Sequence, residues 1–186
     1  MSAALRAGTA TIRVWDPFVR TFHWTLALSF AVAWLSGEGP ETLHNLAGYA
    51  AGALVLARIA WGFFGPGYAR FSQFVRSPAA VVDYLKSIAA GSERRFIGHN
   101  PAGGAMVVVL LAAVAATAAT GWMLTMDTFW GSTSLQRLHS VLAHGVLLLV
   151  VAHFFGVVLA SLRHRENLAR AMVIGDKRAP GPGDVA

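Results

Sequence analysis

The sequence predicts an all-α integral membrane four-helix bundle, and three observations carry that prediction. Of 186 residues, 55% are hydrophobic and only 13% are charged, a balance that belongs to membrane proteins. Four apolar stretches are each long enough for the roughly 20-residue helix that a bilayer core demands. The last of them, Leu138 to Leu162 (LHSVLAHGVLLLVVAHFFGVVLASL), contains three histidines. An ionisable ring at membrane depth is costly and marks a functional site facing the bundle interior.

Residues 1 to 15 lack the compact apolar core and small-residue cleavage site of a signal peptide, so the N-terminus is expected to be retained. The first span opens at Asp16-Pro17, an N-cap followed by proline in the first helical turn, and runs to about Ser36. Gly37, Gly39 and Pro40 break it. The second span, roughly Leu43 to Phe64, ends at the Gly-Pro-Gly of residues 65 to 67. A long connection follows, about Pro66 to His99, in which Ser77-Pro78 starts a short amphipathic segment. Val81, Val82, Leu85 and Ile88 lie on one side of it, with Asp83, Lys86 and Ser87 on the other. It reads either as a helix lying in the membrane interface or as a plain surface linker. The third span starts at Asn100-Pro101, runs to about Leu124, contains no histidine and reads as a packing helix. A short loop, TMDTFWGSTS, leads to the fourth. Residues 1 to 178 are expected to form one domain, with 179 to 186 a disordered tail.

Orientation follows from charge. The side carrying both termini and the long connection receives Arg6, Arg13, Arg20, Arg70, Arg76, Lys86, Arg94, Arg95, Arg163, Arg165, Arg170, Lys177 and Arg178, while the other receives Arg137 alone. By the positive-inside rule both termini face the cytoplasm. Arg58, near the end of the second span, snorkels towards the same side. The net charge of +6 is therefore a topological signature, and nucleic acid is not an expected partner. The absence of cysteine excludes disulfides, thiolate metal sites, iron–sulfur clusters and covalent haem attachment.

Depth then sorts the histidines. His139 and His153 are fourteen residues apart, which returns them to within about 40° of one helix face at a separation of ~21 Å. His144 lies about 140° from one and about 180° from the other, so it is set aside as a packing or hydrogen-bonding residue. His23 lies near the cytoplasmic start of the first helix and matches His153 in depth. His44 opens the second helix at the outer face and matches His139. Two depth-matched pairs, each with one member on the fourth helix, give the geometry of two bis-histidine haem sites stacked across a membrane. Small residues one turn beyond each histidine, among them Gly48 after His44, would give a porphyrin backbone clearance, although such residues are also ordinary in membrane helix packing.

The chain resembles the bacterial di-haem cytochrome b561 and nickel-iron hydrogenase b-type cytochrome group. The residues that carry the likeness are VWDPFVRTFHW, His44 with Gly48, GHNPAGG at Gly98 to Gly104, the His139 to His153 spacing, and HRENLARAMVIGDKR at His164 to Arg178. The resemblance implies four axial ligands, His23 with His153 for an inner haem b and His44 with His139 for an outer one. It further implies a cytoplasmic-membrane carrier that exchanges electrons with the quinone pool. Arg13, Arg20, Arg58 and Arg163 are candidates for pairing with inner haem propionates, with positive-inside anchoring as the plainer account. His99 reads as part of a capped helix entry, the alternative being contact with a propionate or a quinone.

Three functions stay open at this stage. One is an electron-transfer subunit linking the quinone pool to an outer-face redox protein such as a hydrogenase, a reductase or a cytochrome c. Another is a superoxide-oxidising quinone reductase on the same scaffold. The third is a histidine-based metal or proton transporter, which is weakened by the lack of Asp or Glu inside the spans. Lipid is a partner in every case, and Gly48 and Gly52 permit the close helix contact of a homodimer.

Overall fold

A computed structural model describes residues 10–185. The order of elements is β1 (Thr11–Arg13), α1 (Pro17–Leu35), α2 (Glu41–Phe64), α3 (Phe71–Phe74), α4 (Pro78–Ala89), α5 (Pro101–Leu124), α6 (Thr133–Arg163), α7 (Leu168–Ile174) and β2 (Asp176–Arg178). Helices α1, α2, α5 and α6 are each long and apolar enough to cross a membrane, and the protein is a multi-pass helical membrane bundle.

The start signals act as the sequence predicts. Asp16 accepts from the Val19 amide at 3.0 Å, Asn100 from the Gly103 amide at 2.7 Å and Ser77 from the Ala80 amide at 3.3 Å, each just before a proline in the first turn. Each side-chain oxygen satisfies an amide that the helix itself leaves without a partner. Helix α2 begins at Glu41, two residues earlier than the apolar pattern suggests, because Pro40 is a better boundary than the first apolar residue. Helix α6 extends back to Thr133, capped by Ser132. At 31 residues it is about 46 Å long and outreaches a bilayer core of roughly 30 Å.

Leu28, Leu46, Leu56, Leu148, Phe154 and Leu162 all face outward, the inverse of a water-soluble bundle and the surface that lipid covers. Inside, Phe22, Ala51, Val55, Leu111, Val114 and Val146 form one apolar cluster at mid-height. The helices do not pack symmetrically: α1 lies along α2, α2 along α5, and α5 along α6, whereas α6 barely touches the backbones of α1 and α2. Val146 is the one buried residue of α6, so this helix closes against the cluster at its midpoint and stands away from α1 and α2 above and below it.

The end of the bundle that carries both ends of the described chain, here the terminal end, is tied by a two-stranded antiparallel sheet in which Thr11, Ile12 and Arg13 pair with Arg178, Lys177 and Asp176. Residues 184 and 185 contact the preceding chain. Arg95, only 5% exposed, grips Glu166 through Nε at 3.2 Å and Nη2 at 2.8 Å and pairs with Asp184 through Nη1. Lys177 adds a bond to Glu166 at 3.4 Å, and Val185 and Ile97 bond through their backbones. Two cations and two carboxylates balance in this knot, which chain composition alone does not reveal. Although burial pulls the Glu166 carboxyl up, hydrogen bonds from Arg95, the charge of Lys177 and the Arg178 amide hold it below the usual carboxylate range. The Gly181 amide and Arg95 do the same for Asp184 against its burial. Arg6 and the first residues of the expected retained N-terminus lie outside the described residues.

On the amphipathic segment, α4 turns Tyr84 inward while Val82 and Leu85 stay about half exposed. The apolar side predicted from sequence is thus divided, because the helix also packs on α5.

Candidate cofactor site

The four histidines picked out by depth meet as two pairs. His23 of α1 and His153 of α6 have ring centroids 6.3 Å apart at the terminal end, and His44 of α2 and His139 of α6 have centroids 6.1 Å apart at the opposite end. These distances have a chemical meaning. With about 2 Å from a metal to a ligating imidazole nitrogen, and about 1 Å from that nitrogen to its ring centre, two imidazoles on opposite sides of one metal ion have centroids roughly 6 Å apart.

The pair at the opposite end is also oriented. His44 Nδ1–H donates to the Ala33 carbonyl of α1 at 2.8 Å, and His139 Nδ1–H donates to the Thr117 carbonyl of α5 at 3.1 Å with the Thr120 hydroxyl oxygen also at 3.1 Å. A carbonyl can only accept, so Nδ1 carries the proton in each ring and Nε2 keeps its lone pair. That is the arrangement by which a second hydrogen bond fixes a metal-ligating histidine. At the terminal end the buried Nδ1 of His23 has no partner.

Helix α5 is therefore more than packing, which corrects the sequence reading. Thr120 donates its own hydroxyl proton to Ala116 or Thr117, leaving its oxygen free to accept from His139. Gly121 leaves room for the ring: a Cβ there would come within 3.0 Å of His139 Cε1. The signal was present in TAATG, two threonines three residues apart on an otherwise apolar helix, but it points to a partner only once the neighbouring helix is known.

Space beside the rings separates the glycines by role. A Cβ on Gly52 would touch Ala118 at 3.4 Å, so Gly52 serves α2–α5 packing, whereas Gly48, Gly145 and Gly156 would meet nothing within 4 Å. Gly48 thus opens on free space one turn from His44. Together with the stand-off of α6 from α1 and α2, this leaves space beside the paired rings that suits a flat macrocycle. The site residues fit haem.

His144 takes no part in either pair. Its Nδ1–H donates to the Ser140 carbonyl at 2.7 Å and its ring lies 5.1 Å from that of Trp34. Of the four arginines proposed for propionates, Arg13 is bound to Asp176 at 2.7 Å and Arg163 to Glu93 at 2.8 Å. Arg20 donates through Nη1 to the Ile174 carbonyl at 3.1 Å, with its Nε unpartnered. Arg58 is 2% exposed, donates through Nη2 to the Ala69 carbonyl at 3.0 Å, and has a buried Nη1 without a partner. His99 packs its ring 4.7 Å from Trp15 and 4.6 Å from Phe74, with Nδ1 buried and unpartnered. Burial, with the cations of Arg58 and Lys177 and the nearby His153, pushes its pKa down to about 3, so it is neutral. The helix-entry role falls to Asn100 alone.

Fold and site together define a class: integral membrane helical bundles that present imidazoles in opposed pairs at two depths. Within that class, the family model described as prokaryotic cytochrome b561 matches residues 14–175, and the chain belongs to that family. It is a membrane-embedded b-type cytochrome that works in electron transfer. No curated protein and no solved structure matches the chain significantly.

Proposed function

We propose that the protein carries two haem b groups and passes electrons across the bacterial inner membrane between the quinone pool and a redox protein at the outer face. The observation that supports this best is the coincidence of both histidine pairs with the centroid spacing of a bridged metal, 6.1 and 6.3 Å. His23 and His153 hold the inner haem, His44 and His139 the outer one, and Gly48 gives the outer macrocycle clearance. Each bound haem supplies a reversible one-electron centre. The chain's own work is to fix the imidazoles: Ala33 and Thr117 lock the outer rings, and the mid-height cluster keeps the two sites apart. The family and the one-sided basic residues favour an outer partner such as a hydrogenase, a reductase or a cytochrome c.

A reduced-minus-oxidised visible spectrum of the purified protein should show a b-type band, and pyridine haemochrome analysis should give about two haems per chain. A stoichiometry of one, or no b-type band, would refute the proposal. The terminal end is assigned to the cytoplasm from the excess of Lys and Arg there. Reporter fusions in the loops at Gly37 and Gly131 should accordingly report the periplasm, and cytoplasmic activity at either would reverse the orientation.

A further inference from the structure

We infer that Arg58, with His99 beside it, is a carboxylate receptor that takes a propionate of the inner haem and sets the potential of that haem apart from the outer one. The inference rests on the two-haem reading above. Helix α2 repeats the spacing of α6: Arg58 follows His44 by fourteen residues, as His153 follows His139. Helix geometry therefore places Arg58 about 40° from the stripe of His44 and ~21 Å along the axis, at the level of His23 and His153. Where α6 offers a second imidazole, α2 offers a guanidinium.

That guanidinium is almost wholly buried, and its single hydrogen bond is to a backbone carbonyl. None of the ion pairs among the described residues includes it. The nearest relevant carboxylate, Asp16, is engaged by the Val19 amide at 3.0 Å and the Trp61 indole at 3.4 Å. The charge of Asp16 reaches Arg58 only through space, and a buried cation with no carboxylate in contact with it favours one. His99 adds a second unpartnered nitrogen, and both residues rest on one ring, His99 at 4.6 Å and the Arg58 Cζ at 6.0 Å from the Phe74 centroid. As a neutral imidazole His99 donates one N–H. A carboxylate, with two oxygens and about four lone-pair sites, can accept from both residues. A haem seated between His23 and His153 brings such a group with it.

At the opposite end the equivalent place on α2 is His44 itself, and Arg137 there is exposed. Only the inner haem therefore acquires a buried cation at its edge. A positive charge disfavours the ferric state relative to the ferrous, so Arg58 raises the inner midpoint potential.

The test is a spectroscopic redox titration of the full-length holoprotein. In the His139→Ala background, where the inner haem alone remains, Arg58→Gln should shift the midpoint of the haem that binds downwards, and Arg58→Lys should restore part of the shift. In the His153→Ala background Arg58→Gln should change nothing. Loading the wild-type chain with haem dimethyl ester, which has no free carboxylate, removes negative charge and should raise the inner midpoint more than the outer one, and the shifts from ester and from Arg58→Gln should not add. Unmoved midpoints in Arg58→Gln would overturn the inference. Shifts from ester and mutation that add would show that Arg58 holds some other anion, such as a lipid phosphate. Should Arg58→Gln fail to assemble, the ester on wild-type protein decides, and an inner midpoint that rises no more than the outer one overturns the inference. Failure of the two-haem reading itself looks different, because His153→Ala would then lose either none or all of the haem whatever Arg58 does.

Discussion

His139→Ala is expected to lose about half of the bound haem, that of the outer site, and His153→Ala the other half, because each change removes one of two axial ligands. The two losses are separable, since the mid-height cluster of Ala51, Val55, Leu111, Val114 and Val146 stands between the pairs. Membrane insertion should survive, each substitution making its span more apolar. The double variant His44→Ala, His139→Ala should retain the same haem as either single one. His23→Ala combined with His44→Ala should retain none. Either single change on α6 should stop electron transfer between an outer-face donor and an inner acceptor. His144→Ala, whose ring bonds within its own helix and packs on Trp34, should keep both haems. Haem analysis of the purified variants checks the set. Complete haem loss in the His44, His139 double variant would refute the pairing.

Arg95→Ala is expected to cost about 3–5 kcal/mol at the terminal end, since it leaves the carboxylates of Glu166 and Asp184 buried without their main partner. Residues 176 to 185 should then become open to proteolysis, and the melting temperature should fall. A triple change of Arg95, Glu166 and Asp184 to apolar residues of similar size should be milder, because it removes the charges together. Acid should act through the same knot. The folded-state pKa values of Glu166 and Asp184 are depressed, so their contribution is complete above the ordinary carboxylate range of about 4 and is lost as the pH falls through the folded values below it. Tail protection that does not change in Arg95→Ala, or that does not fall with acid, would count against this account.

The spans and their starts were legible in the sequence because caps and apolar runs are local: Asp16-Pro17, Ser77-Pro78 and Asn100-Pro101 each begin a helix where they stand. The histidine pairing was legible for a related reason, since depth in a membrane converts a position in one dimension into a position in space. What stayed hidden depends on lateral neighbours. Thr117, Thr120 and Gly121 matter because α5 lies beside His139, and the Ala33 carbonyl matters because α1 ends beside His44. A backbone oxygen has no identity in a sequence. The contacts of Asp184 and Val185 were concealed likewise, since their partners Arg95 and Ile97 lie far earlier in the chain.

The placing of Val146 has an electrical consequence. It stands seven residues from both His139 and His153, as Ala51 stands seven from both His44 and Arg58, so the midplane is spanned by small apolar side chains. Such a layer is an insulator for ions and water. On the two-haem reading each transfer therefore moves a bare charge, uncompensated by a proton on the same route, through much of the dielectric. A full crossing exchanges about 2.3 kcal/mol with every 100 mV of membrane potential. The protein would charge or discharge the membrane according to the direction of flow, and a potential clamped across liposomes should retard one direction and speed the other.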